Sequence, residues 1–142
     1  MIAVDTNVLV YARRAESPLH VSAVAVLRDL AEGLSPWGIP IFCVTEFFRV
    51  VTHPRLFEPP SSPDGAIAFI AALLASPTAR LLLPGPRYWH VFQELVADGS
   101  ITGNLAFDAQ IAAVCVENGA GELITEDRDF NRFSGLRTRR LA

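Results

Sequence analysis

The stretch Ile2-Ala3-Val4-Asp5-Thr6-Asn7-Val8-Leu9-Val10-Tyr11-Ala12-Arg13 sets the fold. Three apolar residues make a short strand, an acidic residue stands at its carboxyl end, and Asn7–Arg13 follows as a helix. Working outward, the same alternation repeats. Pro18–Glu32 is a second helix, with Pro18 suited to its first turn and Gly33 to its stop. Val24, Leu27, Leu30 and Leu34 form its apolar stripe. Ile39–Cys43 reads as a strand after Pro36-Trp37-Gly38, and Val44–Thr52 as a helix ended by His53-Pro54. A loop and cap at 59–65 lead to a helix over Ala66–Ala75 and a strand over Arg80–Leu83. Helices over Pro86–Ala97 and Asn104–Asn118 follow, the latter closed by Gly119. Glu122–Thr125 and Leu136–Arg140 are the last strands, the final one at an edge. Strands that alternate with helices in this way imply an α/β domain, a mainly parallel sheet with helices on both faces.

The chain has 142 residues, room for one core. Charged residues make up 19%, below the usual value of about 25%. Mean hydropathy is +0.32, an excess expected to sit under a partner chain. All 12 basic residues are arginine. The absence of lysine excludes Schiff-base and pyridoxal chemistry and the Walker-A phosphate loop. It also weighs against phosphoaspartate receivers and haloacid-dehalogenase-like phosphatases. Cys43 and Cys115 lie far apart, and His20, His53 and His90 are scattered, so neither a disulfide framework nor a zinc site is indicated. The apolar run Ala66–Ala75 is too short to span a bilayer. With no basic segment ahead of Ile2, no leader is expected, and the expected compartment is a reducing cytoplasm.

Open parallel sheets bind ligands beyond the carboxyl ends of their strands, and acidic residues stand at those places. Asp5 follows the first strand. Glu46 lies in the first turn of the helix after the second. Glu126, Asp127 and Asp129 follow Glu122–Thr125. Asp108 shares its helix face with Leu105, Ile111, Ala112 and Cys115. A carboxylate in an apolar stripe is costly unless it is paired or binds a cation. Each residue also has a plainer use. Asp5 can cap the first helix, Glu46 can join Arg49 and His53 on a polar face, Asp127 and Asp129 can cap a turn, and Asp108 can pair with a buried arginine. Carboxylates without cysteine or histidine make a hard-cation site for Mg²⁺ or Mn²⁺, and the reaction that suits such a site is phosphodiester hydrolysis.

The matching segments are Val4-Asp5-Thr6-Asn7, Val44-Thr45-Glu46-Phe47, Gly103-Asn104-Leu105 with Asp108-Ala109, and Thr125-Glu126-Asp127-Arg128-Asp129-Phe130. In this order they resemble the PIN-domain ribonucleases, and among them the VapC-type toxins of VapBC toxin–antitoxin modules. The resemblance covers residues 1–142 as a single PIN domain. It implies a PIN-like three-layer α/β/α fold and an Mg²⁺- or Mn²⁺-dependent endoribonuclease leaving a 5′-phosphate and a 3′-hydroxyl. It assigns catalysis to Asp5, Glu46, Asp108 and Asp127, with Asp5, Asp108 and Asp127 on the metal. Thr6, Asn7, Thr125 and Asp129 become supporting residues that orient carboxylates or waters. It further implies a homodimer and a small VapB-type antitoxin, through which alone the toxin reaches DNA.

A net charge of −3 runs against nucleic-acid binding. The tail softens this: Arg128, Arg132, Arg137, Arg139 and Arg140 face only Asp129 there, and can form a strip that follows RNA phosphates. Arg13 and Arg14 could extend it. Two other functions fit the acidic cluster, a non-catalytic module that holds a partner's arginine and a metal-dependent phosphatase of small phosphoesters. RNA cleavage by the pure protein separates all three.

Overall fold

The computed structural model describes residues 1–142. In chain order the elements are β1 (Ile2–Val4), α1 (Thr6–Arg13), α2 (His20–Glu32), β2 (Trp37–Pro40), α3 (Ile41–Val51) and α4 (Pro63–Leu74). Then come β3 (Ala79–Leu82), α5 (Tyr88–Gly99), α6 (Leu105–Glu117), β4 (Glu122–Ile124), a 3₁₀ turn over Arg128–Arg132, and β5 (Arg137–Arg139). The five strands form one sheet in the order β3-β2-β1-β4-β5, and every pairing is parallel.

This order places the site. From β1 the chain winds outward to β2 and β3, then returns past β1 to β4 and β5. Right-handed crossovers therefore put α1–α4 on one face and α5–α6 on the other. Helix packing follows that division, with α1 against α2 and α3, α3 against α4, and α5 against α6. The winding reverses between β1 and β4, which opens a crevice at their carboxyl ends. A single cluster of 32 buried apolar residues fills the layers, Val4, Val8, Leu9, Ile39, Phe47, Leu123 and Ile124 among them.

Most elements lie within a residue or two of their expected bounds, and β2 with the helix after it differs most. Pro36-Trp37-Gly38 does not form a turn before the strand, because Trp37 and Gly38 are themselves in the sheet. Trp37 pairs with Ile2 and Ala79, and Gly38 with Ala3 and Arg80. Gly38 suits a crowded strand: a Cβ there would lie 2.6–2.8 Å from the Leu82 side chain. The strand ends at Pro40, so α3 starts at Ile41 and Glu46 lies in its second turn, not its first. Helix α4 starts earlier than the apolar run suggests. Ser62 caps it by accepting from the Gly65 amide, and Pro63 takes its first turn. Helix α2 begins at His20, and Leu34, beyond its end, is 98% exposed. Gly119 follows the α6 C-cap at φ +78°, where glycine carries no steric penalty.

Candidate active site

Asp5 caps α1 and is almost wholly buried. Its Oδ1 accepts from the Thr6 amide at 2.7 Å and from the Cys43 thiol at 3.6 Å. Its Oδ2 accepts from the Thr125 hydroxyl at 2.7 Å and from Asn7 Nδ2 at 3.3 Å. Thr125 in turn accepts from the Asp127 amide at 3.0 Å and from Asn7 Nδ2 at 3.3 Å. A hydroxyl has one proton and two lone pairs, so Thr125 spends its full capacity here, two bonds tying the end of β4 to the end of β1 and the third holding the Asp127 turn. Asn7 Oδ1 accepts from the Glu126 amide at 3.4 Å, a second tie across the same crevice. Capping and site-building are here one role, since the bonds that start α1 also hold Asp5 in place.

Around this hub a cavity of about 260 Å³ is lined by Asp5, Glu46, Asp108 and Asp127, with Thr6, Asn7 and apolar walls. Glu46 accepts from the Thr6 hydroxyl at 3.3 Å. Asp127 caps the 3₁₀ turn by accepting from the Asp129 amide at 2.9 Å. Oxygens of Asp108, Asp127 and Asp129 all lie within 4.8 Å of one another. Asp5 is not in that tight group, although it lines the same cavity. None of the four cavity carboxylates forms an ion pair with an arginine; the ion pairs of the chain lie elsewhere. The buried arginine that could have answered Asp108 is absent.

The charges work against each other. Burial, then repulsion from Asp127, Asp5, Asp129 and Glu46, pushes Asp108 from 3.8 to about 7. Burial also raises Asp5, against the bonds from Thr125 and the Thr6 amide. Such a cluster is costly to fold without a countercharge. Its donors are all carboxylate and hydroxyl oxygens, and the thiol of Cys43 is pushed well up by burial and by Asp5, which keeps it protonated. That donor set fits a hard divalent cation and not zinc.

The arginines expected as a phosphate strip are largely engaged. Arg137 and Arg139 lie 3.6 and 3.2 Å from Glu122. Arg140 holds Glu126 at 2.7 Å, and Arg132 lies 3.8 Å from Asp129. Arg128 alone of the five forms no ion pair. Arg14 is committed too, to Glu16 at 2.6 Å and to the face of Phe57. Counting charge along the tail missed Glu122 and Glu126, which the sheet brings beside it. Two further features escaped the sequence. One is the Cys43 thiol on Asp5. The other is a second cavity lined by Phe42, Thr45, Glu46, Arg49, Phe107 and Gln110. The spacing of Phe42, Thr45 and Arg49 about Glu46 on one helix was the available signal.

Comparison with known proteins agrees with this architecture. The family model described as PIN domain matches residues 2–136. The VapC ribonuclease Mb2897 of Mycobacterium bovis is 44% identical over 139 residues, 98% of this chain and 94% of that protein. Ribonuclease VapC25 of Mycobacterium tuberculosis is 33% identical, covering 96% of each chain. Among solved structures, VapBC2 from Rickettsia felis bound to a promoter DNA fragment superposes with a TM-score of 0.71 at 20% identity, covering 99% of this chain and 98% of that one. Mycobacterium tuberculosis VapC20, a sarcin–ricin loop cleaving toxin, gives 0.64 at 20% identity over 96% and 99%. With the parallel sheet, the reversal at β1 and β4 and 44% identity over 98% of the chain all in agreement, the chain belongs to the PIN-domain family, in its VapC ribonuclease branch.

Proposed function

We propose that this chain is the toxin of a type II toxin–antitoxin pair, an endoribonuclease that hydrolyses RNA phosphodiester bonds with Mg²⁺ or Mn²⁺. One observation carries the proposal: four carboxylates from separate segments meet at the sheet's switch point and no cation of the chain answers them. Asp5, Asp108 and Asp127, which line one cavity, would hold the ion, with Asp129 beside the last two. When bound, such an ion supplies an activated water and stabilises charge on the phosphate oxygens. The chain's own part is positioning. Thr125 and the Thr6 amide fix both oxygens of Asp5. Thr6 steers Glu46 toward the cavity. Asp108, with a pKa of about 7, can exchange a proton near neutral pH and would give it up on binding a cation.

The antitoxin would neutralise the site by laying an apolar segment in a groove of about 300 Å³ lined by Ala12, Val24, Leu27, Ala31, Phe69 and Leu73, and by reaching the carboxylates with a basic side chain. DNA contact belongs to the antitoxin. The exposed apolar residues Leu83 and Trp89 offer surface for a homodimer. No helix is long and apolar enough to cross a membrane.

The test is mapping of new 5′ ends in total RNA after induction, repeated with purified protein. Asp5→Asn, Asp108→Asn and Asp127→Asn should each abolish cleavage while keeping the fold. Undiminished cleavage in chelator would sink the metal mechanism. Co-expression with the gene immediately upstream should give a stable, inactive complex.

A further inference from the structure

Next to the acidic cavity lies a larger one of about 430 Å³, lined by Phe42, Thr45, Glu46, Arg49, Phe107 and Gln110. The two share Glu46. Phe107 immediately precedes Asp108 on α6, so the second cavity opens directly beside the reacting centre. Phe107 is 62% exposed, the one exposed large apolar residue of a helix that buries Ile111, Val114 and Cys115. Thr45, Arg49 and Gln110 make no side-chain hydrogen bond or ion pair within the chain, although neighbouring polar groups do. A cavity that couples a free aromatic face to unspent donors and acceptors differs from the α1–α2–α4 groove, where six apolar residues are joined only by Arg28 and Glu32. The groove suits an apolar protein segment; this cavity suits a flat ligand with polar edges.

Unpaired bases in RNA are held by stacking on aromatic side chains or arginine planes, and by hydrogen bonds to their edges. A glutamine amide offers a donor and an acceptor side by side, the pattern a base edge meets. We propose, on the basis of the ribonuclease function argued above, that this cavity is a nucleobase pocket. It takes the base of a nucleotide adjoining the cleaved phosphodiester, stacked on Phe107 with Gln110 and Thr45 at its edge and Arg49 over the backbone or ring. The cutting sequence is thus set in part by residues that share α3 and α6 with Glu46 and Asp108.

Two measurements test this. In the first, the protein with Mg²⁺ cleaves short RNAs in which each nucleotide flanking the cut is made abasic in turn. Wild type should lose on the order of tenfold to a hundredfold in kcat/KM at one position and little at the others. Phe107→Ala should lose as much on intact RNA and lose nothing more on the abasic substrate, since both remove the same contact. Gln110→Ala should flatten discrimination among the four bases at that position. The second uses Asp108→Asn and a short single-stranded RNA of mixed sequence carrying 2-aminopurine, whose fluorescence falls on stacking. Quenching on binding that disappears when Phe107→Ala is added supports the pocket even if no cleavage is found, so failure of the enzyme and failure of the pocket stay distinct. An abasic penalty of equal size in Phe107→Ala and wild type, or quenching indifferent to Phe107, overturns the proposal. So does Phe107→Ala dissolving a dimer, or losing antitoxin binding, with base preference unchanged: a protein then covers the cavity.

Discussion

Thr125 contributes one methyl and one hydroxyl, and the hydroxyl touches both sides of the site. Thr125→Val keeps the shape and deletes the bond to Asp5 and the acceptor for the Asp127 amide. The expected outcome is a loss of about 10–100-fold in cleavage or metal affinity, with Thr125→Ser retaining most of both. Single-turnover cleavage across a Mg²⁺ titration measures it. Asp108 gives a prediction of sign. Its carboxyl titrates at about 7 in the folded chain against an ordinary 3.8, so between those values the native state binds the extra proton. Stability without metal therefore falls as pH rises through that window. Asp108→Asn should remove the fall and, in chelator at pH 8, be more stable than wild type by about 1–2 kcal/mol once solvent screening of a half-buried group is allowed for, and so melt higher. The advantage should vanish near pH 4, and added Mn²⁺ should reverse the order. A variant that melts lower in chelator at every pH would mean that Asp108 has a structural partner. The position of this residue was legible because an acidic side chain interrupts an apolar helix face. The Cys43 contact was not, because a thiol on a buried helix face looks like any small core residue.

Elements were legible where period and punctuation agreed. Helix α6 and strands β1 and β4 lie close to their expected bounds for that reason. Strand β2 was not, because Pro-Trp-Gly has the composition of a turn and only pairing on both edges makes it a strand. Its central glycine gives a test. Gly38→Ala should destabilise by about 1–3 kcal/mol, the usual cost of overpacking, because the added carbon meets Leu82. Urea unfolding with an unchanged m-value would register it. The C-terminal arginines show the same limit. Charge along the tail is plain in sequence, but parallel pairing of β5 with β4 sets Arg137 opposite Glu122, and no count along the chain contains that. The expected consequence is unequal RNA binding. Arg128→Ala should lower the slope of log affinity against log salt by about one, whereas Arg137→Ala and Arg139→Ala should change it less. Equal losses at all three would restore the full strip.

At the scale of the molecule, the fold class followed from alternation alone, while the strand order β3-β2-β1-β4-β5 did not, since short strands carry no label for their neighbours. That order has a consequence for the chain as it is made. The central strand is the first to leave the ribosome, yet one of its two partners, β4, begins only at Glu122. Asp5 waits for Thr125, and the pair Asp127 and Asp129 comes later still. On the proposed function, a nascent chain is expected to lack a completed site until nearly the whole chain has emerged. Chains arrested before Glu122 should be protease-sensitive and should not inhibit growth, and protection should appear only when arrest falls beyond β5. If the proposed pairing holds, activity is switched on by the end of synthesis, and an antitoxin already present would have the whole duration of translation in which to be waiting.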